Sequence, residues 1–317
     1  MVEFTRKFTT KSGIPITIGA GSGTKWQWFK KNQNQGNLTQ ELIDQLVLAL
    51  KVGFNHIDTA EYYTTHEEVA AAIKQSGKKR EDLFLTTKYS PGYLGTSCIT
   101  SGPLESIDKA LKEFDTDYID LFLIHSPFFD ETCSRGLTLS DAWKQMLEVK
   151  KSGKVRHIGV SNFAIPHLEE IMAIDPSVVP EVNQIEVHAQ LQEQTPGILD
   201  FCRQHQIQVE AYGPLSPLFR SEQSPIIPEV EKLAQKYQKT QAQILLRWVY
   251  QQGILPITTS TNEQRLRDAL DIVNFELEQK DLDALTQLGL VHRQRNFFAD
   301  DMAKVEKQLT VPAAVAI

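Results

Sequence analysis

The feature that most limits what this chain can fold into is a repeated alternation of short apolar runs with segments of helical spacing. The runs lie just before Gly21 and at Phe54–Ile57, Leu83–Thr87, Tyr118–Ile124, Val155–Val160, Val182–Val187, Gln206–Ala211 and Ile254–Ile257. Between them, Leu42, Leu46, Ala49 and Leu50 recur at helical spacing and stop at Gly53, and a second helix runs through Val69, Ala72 and Ile73. Further helices are expected from about Leu104, from Thr138 (with Asp141 three residues on) to near Gly153, and near 166–172, 197–204, 229–237 and 263–272. Strands separated by helices argue for a parallel sheet, and eight such units in about 250 residues match a closed (β/α)8 TIM barrel in the α/β class. The whole chain, residues 1–317, is read as one such domain. Ser12-Gly13, between alternating runs at 4–10 and 14–18, predicts an N-terminal β-hairpin.

An open doubly wound sheet is the alternative. It needs a glycine-rich phosphate turn that opens a helix after the first strand, and Gly19-Ala20-Gly21-Ser22-Gly23 resembles one. However, no helical pattern is legible in Thr24-Lys25-Trp26-Gln27-Trp28 or in the polar stretch behind it, which disfavours the open sheet.

Composition removes several function classes. A net charge of −7 with scattered Lys and Arg leaves no footprint for nucleic acid. No apolar run approaches the ~20 residues of a membrane-spanning helix. The opening Met1–Lys7 segment lacks the apolar stretch of a signal peptide, and three well-separated cysteines (Cys98, Cys133, Cys202) predict free thiols, so a cytoplasmic protein is expected. No metal site is expected.

In a parallel barrel, function gathers where the strands end. Asp58, Lys88, His125, Ser161-Asn162, Tyr212 and Thr258–Asn262 each end an apolar run, and Gln184 lies within one. Asp58, Tyr63, Lys88 and His125 form a chemically coherent set. A carbonyl that receives hydride develops negative charge on oxygen and needs a proton donor. A tyrosine, whose ordinary pKa is ~10, becomes a better one beside an ammonium that a carboxylate holds charged. His125 can donate a hydrogen bond to the carbonyl oxygen. Taken singly, each residue has a plainer reading: Asp58 as a helix N-cap, Lys88 as a solvated charge, Tyr63 as a partly buried aromatic and His125 as a core histidine. Their joint placement at strand ends favours the site.

The segments Asp58-Thr59-Ala60-Glu61-Tyr62-Tyr63, Leu83 to Lys88, Leu123-Ile124-His125-Ser126-Pro127, Gly159-Val160-Ser161-Asn162-Phe163, Val182-Asn183-Gln184-Ile185-Glu186 and Ala211-Tyr212-Gly213-Pro214-Leu215 resemble the aldo-keto reductase superfamily, in order, from about Gly13 to Leu288. The resemblance implies a carbonyl reductase that uses NADPH (NADP+), with Tyr63 as acid, Lys88 and Asp58 tuning it, and His125 orienting the substrate. It also implies a tail across the mouth. For the cofactor it implies Gly23, Thr24, Lys25, Ser161, Asn162, Gln184, Tyr212, Pro214, Leu215, Thr259, Ser260, Thr261 and Arg265. Asn262 stands where many relatives carry a lysine near the 2′-phosphate; Arg265 suits bidentate phosphate recognition, so NADPH is favoured over NADH.

Finer segments, Gly23-Thr24-Lys25-Trp26, Thr87 to Gly92, His125 to Phe129 and Leu255 to Ser260, resemble the yeast branch of that family. That branch reduces α-keto amides, conjugated polyketones and ketopantoyl lactone. Ser126 replaces a tryptophan common in relatives and predicts a roomier pocket edge. Trp26, Trp28, His125, Ser126, Phe128, Phe129 and Phe297, with Phe298 beside it, are the candidate substrate walls. Thr65-His66 replaces the Asn-Glu pair common after the tyrosine. A small-molecule carbonyl substrate and a monomer or homodimer are expected. Two other functions fit the fold: a cofactor-binding regulatory subunit, as in the related potassium-channel β-subunits, and a Lys88 Schiff-base enzyme.

Overall fold

The computed structural model describes residues 3–23, 25–34, 37–220 and 224–310. Its main sheet is a closed parallel barrel. The barrel strands are β1 (Gly19–Gly21), β2 (His56–Asp58), β3 (Phe84–Tyr89), β4 (Ile119–Ile124), β5 (Val155–Ser161), β6 (Val182–Glu186), β7 (Gln208–Tyr212) and β8 (Leu255–Thr258). Each pairs with the next in parallel, and β8 closes on β1 through Gly19 opposite Ile257 and Ala20 opposite Thr258. The register sets Ser161 opposite Gln184 and Gln184 opposite Glu210.

The helices are α1 (Lys25–Asn32), α2 (Gln40–Val52), α3 (His66–Ser76), α4 (Pro103–Phe114), α5 (Leu139–Lys151), α6 (Ile165–Met172), α7 (Ile198–Gln204), α8 (Ser216–Phe219), α9 (Ile227–Tyr237), α10 (Gln241–Gln251), α11 (Glu263–Leu270), α12 (Gln279–Val291) and α13 (Ala299–Thr310). Local chemistry sets several of their ends. The backbone N–H of Asp141 donates to the Thr138 hydroxyl at 3.1 Å, capping α5 as its sequence predicts. α2 stops at Gly53, whose φ of 125° is costly for any residue with a Cβ. Inward faces such as Ile107, Ala110 and Phe114 of α4 are buried, each large apolar side chain contributing roughly 1.5–3 kcal/mol.

Several elements depart from the sequence expectation. The segment after β1 is helical after all, as α1: Trp26 is buried, and Lys30 reaches the buried carboxylate of Glu68 at 2.8 Å. Tertiary contacts stabilise this helix where its weak periodicity does not. An additional helix, α10, lies between α9 and β8 and opens with a capping box between Thr240 and Gln243. The tail beyond α12 crosses the mouth as expected, with Phe297 and Phe298 on the cavity wall, but it then forms a helix, α13, that the sequence reading did not include.

The predicted hairpin is reduced to one bridge, Thr9 to Pro15, with Thr10 N–H donating to Ile14 O at 2.8 Å. It closes the bottom of the barrel, where Phe8 packs on Phe84 and His157. The bottom is therefore filled with side chains, and the opposite end carries the open mouth. Cys98, Cys133 and Cys202 are free and buried. Among the described residues, no helix is long and apolar enough to cross a membrane, and no cluster of His, Cys, Asp or Glu could hold a metal ion.

Candidate active site

β2 ends on Asp58, and Lys88 lies one residue from the end of the neighbouring β3. Lys88 Nζ donates to both carboxylate oxygens of Asp58 and to the carbonyl of Thr59, each at 2.8 Å. All three ammonium protons are thus committed, and the side chain is fully buried. Burial opposes its charge, but Asp58, aided by Tyr63 and Glu210, more than offsets this and holds the ammonium above its ordinary pKa.

Directly after β2 the chain makes a single 3-10 turn, Glu61–Tyr63, which carries the Tyr63 ring over the pair. The Tyr63 hydroxyl lies 3.4 Å from Nε2 of His125, the residue following β4. Lys88 Nζ is 5.4 Å from the ring centre and acts on the phenol through its charge. Gly23 lets this ring approach the β1 loop: a Cβ there would come within 2.7 Å of Tyr63 Cε2.

The electrostatics correct one expectation. Lys88 does pull the phenol toward ionisation, but burial outweighs it and Asp58 adds to the rise, so the Tyr63 pKa lies above its ordinary value. Taking a phenolate out of water costs more than the neighbouring cation returns. Tyr63 is therefore held protonated. His125 is pushed well below its ordinary value by burial, with Lys88 and Lys31 adding to the shift, and is neutral.

Across the mouth a polar girdle links β5, β6 and β7. Ser161 Oγ donates to the Gln184 carbonyl at 2.8 Å, and Asn162 Nδ2 donates to Ser161 Oγ at 3.1 Å and to the His125 carbonyl at 2.9 Å. The Tyr212 hydroxyl donates to Asn162 Oδ1 at 2.6 Å. Asn162 takes a φ of 65°, a left-handed conformation that asparagine tolerates better than most residues. Gln184 Nε2 donates to Asp58 Oδ2 at 2.8 Å and to Glu210 Oε2 at 2.9 Å, leaving its oxygen as the amide's remaining polar atom.

These groups face a cavity of about 680 Å³. Of the residues singled out from the sequence, Gly23, Asp58, Tyr63, His125, Ser126 and Ser161 line it, as do Asn162, Gln184, Tyr212, Pro214, Leu215, Thr259 and Phe297, with Phe298. Lys88 sits behind the wall, bound to Asp58.

Others are placed elsewhere. Trp26 is buried and donates to Gln45, which in turn holds Thr259 at 2.7 Å. Lys25 lies over the Trp26 ring, and Trp28 is 57% exposed on α1. Phe128 contacts the Phe298 ring, and Phe129 packs on the core, so both back the wall rather than form it. The Ser260 hydroxyl accepts from Asn262 N–H at 3.1 Å; Thr261 and Arg265 are exposed, Arg265 in the first turn of α11. Thr24 lies outside the described residues.

Sequence reasoning missed Tyr62, Tyr93, Phe219 and Arg220 on the wall, and Glu186 and Glu210 behind it. The two glutamates had a usable signal. Each is two residues from a residue already assigned to the site, Gln184 or Tyr212, and so shares its inward face. Glu210 is completely buried; burial, with Asp58 adding to it, raises its pKa to about 7 against the pull of Gln184 and Lys88. His66, replacing the common residue beneath the tyrosine, bridges Glu113 and Thr87 at 2.8 Å each.

The aldo/keto reductase family matches residues 16–289, most of the chain. This chain belongs to the aldo/keto reductase family. As a member it is an oxidoreductase, and its reaction class is carbonyl reduction. It is 44% identical over 290 residues to the NADPH-dependent alpha-keto amide reductase of Saccharomyces cerevisiae, covering 90% of this chain and 91% of that protein. It is 38% identical to the NAD/NADP-dependent indole-3-acetaldehyde reductase of Schizosaccharomyces pombe, over 90% of this chain and 95% of that one. Among solved structures, a Bombyx mori aldo-keto reductase in complex with NADP superposes with a TM-score of 0.74 at 28% identity, covering 90% of this chain and 93% of the other.

Proposed function

We propose that this aldo/keto reductase uses NADPH to reduce activated ketones (α-keto amides, conjugated polyketones and keto lactones such as ketopantoyl lactone), with Tyr63 as the general acid. The observation that carries the reading is the Tyr63 hydroxyl, kept protonated by burial 3.4 Å from a neutral His125 on the cavity wall, above the Lys88–Asp58 pair. A second carbonyl beside the reacting one withdraws electrons and eases hydride attack, and Ser126 adds a small polar side chain to the wall.

The residues present suit the cofactor. Gln184 offers its oxygen to a carboxamide N–H because its nitrogen is spent on Asp58 and Glu210, with Ser161 and Asn162 beside it. Tyr212 provides a flat face for the ring. Gly213, at a φ of 65°, leads into Pro214-Leu215-Ser216, and the buried Ser216 hydroxyl has no protein partner, as expected where a ligand supplies one. Arg265, with Ser260, Thr261 and Lys25, would hold the phosphate end. Bound NADPH supplies a hydride. Tyr63 gives its proton to the carbonyl oxygen, Lys88 stabilises the phenolate left behind, and Asp58 keeps Lys88 charged and in place. His125 orients the substrate oxygen.

The Schiff-base reading fits poorly. A lysine whose three protons are engaged and whose pKa is raised is not a free amine nucleophile. A panel of simple ketones, dicarbonyls and keto lactones assayed with NADPH and with NADH tests the proposal. Faster loss of reduced-nicotinamide absorbance with dicarbonyls and NADPH is expected. No substrate-dependent loss with either cofactor would favour a regulatory subunit and end the reading.

A further inference from the structure

Glu186 ends β6 at the barrel mouth, yet the chemistry above does not use it. It is completely buried, and what it binds is the segment of chain that crosses the mouth. Oε1 accepts from the Asn296 backbone N–H at 3.0 Å and from the Asn296 side-chain amide at 2.9 Å; Oε2 accepts from the Phe297 backbone N–H at 3.1 Å. His188 adds a further donor. Its Nδ1 accepts from Gln190 N–H at 3.3 Å, which places the ring proton on Nε2, 3.2 Å from Glu186 Oε1. One carboxylate thus grips two successive main-chain amides through charge-assisted bonds.

The gripped segment carries two rings of the cavity wall. Phe297 meets Tyr212 edge-on at 5.3 Å, and Phe298 meets Tyr93 at 5.1 Å and Phe128 at 5.4 Å. Phe298 has a φ of 51°, a left-handed conformation that a bulky side chain does not choose and that persists only where the surroundings impose it. Glu186 holds the chain ahead of it, and behind it Met302 N–H returns to the Phe298 carbonyl at 2.9 Å.

We propose that Glu186 is a positioning residue for substrate choice: by clamping the amides of Asn296 and Phe297 it holds Phe297 and Phe298 as a fixed aromatic wall that favours ketones bearing a flat apolar group over small aliphatic ones. The inference rests on the carbonyl-reductase reading above. A carboxylate serving stability alone would lower the melting temperature when replaced and leave the choice between substrates untouched.

The test is Glu186→Gln, which keeps one acceptor but turns an NH2 group toward a backbone N–H. Two readouts apply: hydrogen exchange at the amides of 296 and 297, and the ratio of kcat/KM for 1-phenyl-1,2-propanedione to that for 2,3-butanedione with NADPH. Exchange should quicken at least about tenfold, and the ratio should fall about tenfold, with the loss in KM for the phenyl diketone rather than in kcat. Phe298→Ala, which removes a ring and leaves the clamp, should lower the same ratio. If Glu186→Gln does not fold, Asn296→Ala loses one bond of the clamp and should shift both readouts in the same direction by less. Slow exchange in the variant, or fast exchange with an unchanged ratio, overturns the proposal. If the wild type reduces neither diketone, it is the functional reading that fails, and the exchange experiment still decides whether Glu186 holds the segment.

Discussion

Lys88 and Asp58 form a closed unit inside the barrel: both carboxylate oxygens lie 2.8 Å from one ammonium, and neither side chain is more than 6% exposed. Charges this deep are tolerated only together. Lys88→Met should cost about 3–5 kcal/mol by stranding Asp58 as an unpaired anion. The double variant Asp58→Asn with Lys88→Met should recover part of that loss, because no bare charge remains. Urea denaturation of the two variants checks this; equal stabilities would mean that water reaches the pair.

Tyr63→Phe keeps the ring that packs beside Gly23 and removes only the hydroxyl. Turnover should fall by about 10²–10⁴, the usual worth of a general acid, with little change in the Kd for NADPH. Near-normal kcat in this variant would place the proton donor elsewhere.

Arg265→Ala removes an exposed guanidinium from the first turn of α11. If it grips the 2′-phosphate, the Kd for NADPH should rise about tenfold or more, in line with the ~1.5–3 kcal/mol of a charge-assisted bond, while that for NADH changes little. Equal losses for the two cofactors, read by fluorescence titration, would locate the phosphate elsewhere.

Glu210 has a folded-state pKa of about 7, raised from an ordinary 4.5 by burial. Between those values the native protein retains a proton that the unfolded chain has released, so stability falls as pH rises through this window and levels off above it. The shift corresponds to a loss on the order of 3 kcal/mol. Glu210→Gln has no such proton to lose. The wild type should therefore weaken relative to this variant between pH 5 and pH 8 in paired denaturation curves; a constant difference would mean the carboxyl does not titrate in that range.

Much of this protein was legible one residue at a time. The apolar runs predicted the eight barrel strands, because a strand covered on both faces is mostly apolar except where its side chains point into the mouth. The polar residues ending those runs predicted Asp58, Lys88, His125, Ser161 and Tyr212 at one mouth, since parallel strands all finish on the same side. Tertiary structure decided the rest. Helix α1 has weak periodicity and forms around buried Trp26 and the Lys30–Glu68 pair, contacts between distant segments that no local pattern encodes. The direction of the Tyr63 shift depended on burial, which outweighed Lys88, and burial is a property of the closed barrel rather than of either side chain. Glu186 and Glu210 carried the correct alternation, but only the folded chain reveals that one meets the returning tail and the other a shared amide.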